Sequence, residues 1–157
     1  MTLTGSCMCG SVAYSTEGTT TPSTTSITHT IQLPSLSDQY LSALCHCTDC
    51  QKWTGGAFTS NAVVPRSSFK VTKGTPSSYD AIGNSGKVNK HFFCSKCGSS
   101  LYTELEVMPD NTVIKAGTLD GGAANLNGKV DVEFYVKDRP SYLGAVPGAK
   151  QEQAFGA

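Results

Sequence analysis

The chain has 157 residues, which argues for one domain at roughly 100–200 residues per domain. Its 12 basic and 12 acidic residues cancel to a formal net charge of +0, which removes any composition-level case for nucleic acid or an anionic membrane as partner. With 38% hydrophobic and 15% charged residues it lacks the balance of a disordered chain, and no apolar run approaches the ~18–20 residues that span a bilayer.

The N-terminus carries no basic segment followed by an apolar stretch, and no Asn-x-Ser/Thr sequon occurs. These absences favour a soluble, cytoplasmic protein, and equally fit a mature chain whose signal was removed. Gly 16 and Pro 7, with frequent Ser and Thr, suit short strands and many turns.

Residues 11–16 alternate Val12 and Tyr14 with small or polar residues and predict a half-buried strand. Residues 18–38 crowd threonines around Pro22 and read as a long exposed loop, with room for one short strand at 26–33. Residues 41–50 run into a loop with three cysteines. Strands are predicted at 58–64, 68–73 and 77–81, the last closed by the turn Gly83-Asn84-Ser85-Gly86. Residues 87–93 lead into Cys94, and 101–107 follow the cysteine pair. Residues 112–116 are rich in β-branched side chains, and 129–136 alternate Val130, Val132, Phe134 and Val136 with polar neighbours. The tail from 144 reads as irregular coil. No helical periodicity extends over ten residues, so the class is all-β.

The seven cysteines fall into three clusters, Cys7-x-Cys9, Cys45-x-Cys47-x-x-Cys50 and Cys94-x-x-Cys97. An odd number cannot pair completely as disulfides, and clustered spacing is that of zinc sites. Seven splits as four plus three, which are the ligand counts of a closed structural zinc and an open catalytic one. Gly10 and Gly98 each follow a pair and permit the tight turn that aims backbone N–H groups at sulfur. That groups Cys7, Cys9, Cys94 and Cys97 and leaves Cys45, Cys47 and Cys50 on one loop. A second structural zinc, completed by His46, His91 or another residue, stays open at this point.

The motifs Gly5-Ser-Cys7-Met-Cys9-Gly10-Ser-Val-Ala-Tyr14, Cys45-His-Cys47-Thr-Asp-Cys50-Gln-Lys-Trp-Thr-Gly55, Phe93-Cys94-Ser-Lys-Cys97-Gly98 and Ala116-Gly-Thr-Leu-Asp120 resemble, in order, those of the glutathione-dependent formaldehyde-activating enzyme and centromere protein V family. Phe134-Tyr-Val-Lys-Asp-Arg139-Pro-Ser-Tyr142 resembles its C-terminal strand and turn. The resemblance implies an Mss4-like fold, several short antiparallel sheets organised around zinc, as a single domain over 1–157 with a Thr/Ser-rich insertion at about 18–40. It implies two Zn2+ per chain, structural at Cys7, Cys9, Cys94 and Cys97, catalytic at Cys45, Cys47 and Cys50. It implies carbon–sulfur lyase chemistry, making or cleaving S-hydroxymethylglutathione from glutathione and formaldehyde.

In that reading the three-cysteine zinc is a weak Lewis acid suited to holding a thiol, because a coordinated thiol loses its proton. Cys45, Cys47 and Cys50 then activate and orient the thiol and are not themselves nucleophiles. His91 is the candidate general acid/base. His46, between two ligands, points away from the metal, and His29 lies in the Thr-rich stretch. Lys52, Arg66, Lys90 and Arg139 are candidates for glutathione carboxylates, Trp53 for a pocket wall, and Asp120 for a turn cap. The competing readings are a lyase for another thiol conjugate, a thiol-binding or protein-interaction module, and a redox switch at Cys47-x-x-Cys50 that leaves Cys45 unexplained.

Overall fold

The computed structural model describes residues 2–17, 40–83, 85–126 and 128–155. The insertion at 18–38, its suggested strand at 26–33 and His29 lie outside the described residues.

Eleven strands and one short helix carry the described chain. Strands β1 (Leu3–Ser6), β2 (Ala13–Thr16) and β5 (Phe69–Lys73) form a small antiparallel sheet in the order β1-β2-β5. The large sheet holds β3 (Leu41–Cys45), β4 (Thr59–Pro65), β6 (Ser77–Ile82), β7 (Val88–Phe93), β8 (Ser100–Leu105), β9 (Asn111–Lys115), β10 (Val132–Phe134) and β11 (Lys150–Glu152). Its order is β11-β10-β3-β4-β9-β8-β7-β6. The helix α1 (Thr48–Thr54) sits between β3 and β4.

The period of two along each strand sends alternate side chains to opposite faces. One face of the large sheet presents Ala62, Val64, Tyr102 and Ile114 to Leu3 and Tyr14 of the small sheet and to Val12 just before β2, and this is the larger core. Each Val, Leu or Ile among them, once fully buried, contributes about 1.5–3 kcal/mol. The opposite face presents Leu41, Ala43, Val63, Val113 and Phe134. β9 is buried along its whole length because both faces are covered, which explains its β-branched run.

The all-β class and the arrangement of several sheets agree with the sequence reading. Four local differences stand out. The tail is not wholly coil: β11 pairs parallel to the free edge of β10, guided by the bond from Lys150 N to Asp131 O at 2.9 Å. Lys-Gln-Glu has little strand propensity, so pairing decides the outcome. β10 also runs parallel to β3, so the large sheet is mixed rather than purely antiparallel. The expected strand over 129–136 is confined to β10 because Tyr135 turns left-handed at φ 57°. α1 was not expected from periodicity, since seven residues span only two turns.

Candidate metal centre

The two knuckles are built alike. The Gly10 amide donates to Cys7 O at 2.9 Å and the Gly98 amide to Cys94 O at 2.8 Å. Both glycines have positive φ, 68° and 73°, where a Cβ is disfavoured. Cys7 and Cys9 lie between β1 and β2, and Cys94 and Cys97 between β7 and β8, so the small sheet meets the large one at these turns. All four Sγ atoms lie within 4.8 Å of one another. Cys7 Sγ is 3.5 Å from Cys9 Sγ, and Cys9 Sγ is 3.8 Å from Cys94 Sγ. A tetrahedral ion with Zn–S bonds of about 2.3 Å needs sulfur–sulfur edges of about 3.8 Å, so this set fits a metal. The Ser99 hydroxyl and amide bring Cys97 down to about 5, favouring the thiolate a metal requires.

The second cluster is local. Cys45 ends β3, Cys47 caps α1, and Cys50 lies in its first turn. The Cys47 sulfur accepts from the Cys50 amide at 3.4 Å, taking the role an N-cap oxygen usually has. Gly55, left-handed at φ 68°, stops the helix with its amide on Gln51 O. The three sulfurs lie within 4.8 Å of one another. Thiol donation from Cys45 and Cys47 brings Cys50 down to about 2, and the same pairing drives Cys45 upward. One thiolate forms readily, and a cation is needed to displace the remaining protons. Three soft sulfurs at this spacing fit the zinc expected from sequence.

No fourth protein ligand joins this cluster among the described residues. His46 points away, as expected, and its Nε2 meets Glu133 Oε1 at 2.9 Å, both residues being 1% exposed. Glu133 Oε2 also takes Gln151 Nε2 at 2.6 Å, the Val146 amide at 2.8 Å and Arg139 Nη1 at 3.3 Å. Burial pushes this carboxyl up, but these donors outweigh it and hold it at about 2. Gln51 Nε2 donates to His46 O at 2.6 Å. Residues 45–47 are therefore gripped from β10, β11 and α1 at once.

Cys45, Cys47 and Cys50 line a cavity of about 90 Å³ on the sheet face turned away from the small sheet. His91, the candidate acid/base of the sequence reading, also lines this cavity, with Nδ1 3.0 Å from Thr103 Oγ1. Burial lowers its pKa below 6.5, so it is neutral at pH 7. Trp53 stacks on it with ring centroids 4.4 Å apart, and its indole N–H reaches Ser100 Oγ. Trp53 thus walls His91 rather than the cavity itself.

Lys115 was missed by the sequence reading. It lines the cavity, is buried, and its Nζ donates to Asn61 Oδ1 at 2.9 Å. The only hint is a cation within an otherwise uncharged buried strand. The four cations singled out from sequence do not converge here. Lys52 is exposed, Arg66 pairs with Glu104 at 3.7 Å, Lys90 with Asp80 at 4.0 Å, and Arg139 with Glu133. Asp120 accepts from Thr4 Oγ1 at 2.6 Å and ties its turn to β1.

The sequence profile of the glutathione-dependent formaldehyde-activating enzyme family matches residues 27–138. The crystal structure of a Rhodobacter sphaeroides protein superposes with a TM-score of 0.55 at 22% identity, covering 81% of this chain and 96% of that one. No curated protein matches the sequence. Among the described residues, no helix is long and apolar enough to cross a membrane.

Proposed function

The chain belongs to the glutathione-dependent formaldehyde-activating enzyme family, and from that premise we propose that it is a zinc-dependent carbon–sulfur lyase acting on a thiol–carbonyl adduct, with S-hydroxymethylglutathione as the family's substrate. The observation that carries this reading is the contrast between the two clusters. Four sulfurs close one site, while three sulfurs with no fourth described protein ligand line a cavity. A zinc ion in the three-sulfur site would supply an open position that favours a thiolate over a thiol.

The chain's own residues supply the rest. Cys45, Cys47 and Cys50 hold the ion, and the grip on residues 45–47 fixes their geometry. Three thiolates around a divalent ion leave a net negative charge, which an ammonium at Lys115, lining the same cavity, would offset. His91 spends Nδ1 on Thr103, so Nε2 is the atom that takes the proton from an adduct hydroxyl and returns it in the reverse direction. Cys7, Cys9, Cys94 and Cys97 play the structural part.

Carbon-13 NMR of labelled formaldehyde with glutathione tests this reading. Zinc-loaded protein should accelerate exchange into the S-hydroxymethyl adduct, and Cys47→Ser should not. Exchange at the spontaneous rate with the wild type would retire that substrate pair.

A further inference from the structure

The cavity beside the three cysteines has walls that do not suit a peptide. Leu41, Ala43, Val63 and Val113 present one continuous apolar surface from β3, β4 and β9, and Met108 and Phe155 complete it from outside the strands. Its polar members are largely spent on each other, Lys115 on Asn61 at 2.9 Å and His91 on Thr103 at 3.0 Å. Glutathione carries two carboxylates and an ammonium. Among the described lining residues Lys115 is the only Lys or Arg and Asp49 the only Asp or Glu. A carboxylate or ammonium that enters the apolar part of this surface loses water and gains no partner there. The thiol's peptide part therefore belongs outside the cavity, and the substituent on the sulfur-bearing carbon belongs inside.

The volume points the same way. About 90 Å³, a space that the three cysteines also line, gives room for about six water-sized groups; a metal-held sulfur would take one and the carbon and oxygen of formaldehyde two, which leaves about three. A Met and a Phe on the wall adapt to flexible apolar chains.

Building on the lyase reading above, we infer that the sulfur-bearing carbon of the substrate carries an apolar chain of about two to four carbons that fills this cavity. In the cleavage direction the C–S bond breaks and its electron pair stays on sulfur. The hydroxyl on that carbon gives up its proton and becomes the carbonyl. A thiol and an apolar aldehyde leave, with no change in oxidation state overall.

The experiment offers zinc-loaded protein glutathione with formaldehyde, propanal, pentanal or decanal. It reads exchange by NMR, and binding of each adduct by Trp53 emission. Turnover per unit substrate should rise about fourfold per buried methylene up to pentanal and level off before decanal. Ala43→Leu, which adds bulk two residues before Cys45, should shift the maximum to shorter chains. Val63→Leu is the second variant, and each is scored only at wild-type zinc content. A flat or falling series with formaldehyde still turned over would overturn the apolar-chain inference and leave the lyase reading standing. Binding that tightens with chain length without turnover would support the cavity's preference and overturn the lyase reading. Neither binding nor turnover of any adduct would overturn both.

Discussion

The ammonium of Lys115 donates to Asn61 Oδ1 across 2.9 Å, so adjacent residues of β9 and β4 hold one buried cation beside Cys45, Cys47 and Cys50. Burial pushes Lys115 down, and the three sulfurs push it back up. Cation and sulfurs support each other's charge.

Removing that cation should loosen the metal. Lys115→Met keeps most of the volume and should lower zinc affinity of the three-sulfur site about 10-fold, the usual scale for groups just behind a metal's ligands. The four-sulfur site should hold its zinc unchanged. A competition titration against a chromogenic chelator resolves the two sites, and an unaltered weaker site would break the proposed link.

The two clusters should respond differently to loss of one sulfur. Native mass spectrometry of the wild type should show two zinc ions. Cys47→Ser should keep one and retain its far-ultraviolet dichroism. Cys94→Ser should lose cooperative folding, because a structural zinc contributes about 10–16 kcal/mol of apparent binding energy to the folded state. A folded Cys94→Ser protein would argue against the structural role.

Glu133 should set part of the acid stability. Its carboxyl falls from 4.5 to about 2 on folding, so the unfolded chain binds more protons between these values and stability rises with pH there. The contribution is complete above about pH 5 and lost as pH falls towards 2. Glu133→Gln should remove that slope and cost about 3 kcal/mol at pH 7 by breaking a buried charge network. Denaturant unfolding of both proteins at matched zinc content provides the comparison, and identical pH profiles would contradict it.

Trp53 should report on His91. It is the single tryptophan, stacked 4.4 Å from the imidazole. Protonating His91 places a cation on the indole face and should change its emission. The midpoint should lie below 6.5, since burial disfavours the charged ring. His91→Gln should abolish the transition. A midpoint at or above 6.5 would contradict the buried setting.

Much of this is legible in the sequence. The division of the seven cysteines follows from spacing and from Gly10 and Gly98, because ligand turns are local. His91, singled out because it precedes Cys94 on a strand entering the knuckle, lines the cavity beside Cys45, Cys47 and Cys50. What stayed hidden depends on distant pairing. Lys115 becomes part of the site only because Asn61, 54 residues away, lies beside it across two strands. Glu133 looked like an exposed residue of an alternating strand, yet a face of β10 that alternation assigns to solvent is covered by His46 and Gln151. Arg139 was drawn to that carboxylate rather than to a ligand.

The four-sulfur cluster also imposes an order in time. Cys9 and Cys94 are 85 residues apart, so during synthesis the first pair waits roughly ten seconds for the second at ribosomal rates. Cys45, Cys47 and Cys50 leave together, and closing so short a loop costs little chain entropy. The site proposed for chemistry can therefore load its ion on the nascent chain, whereas the clip between the two sheets closes late, with Cys7 and Cys9 open to oxidation until it does.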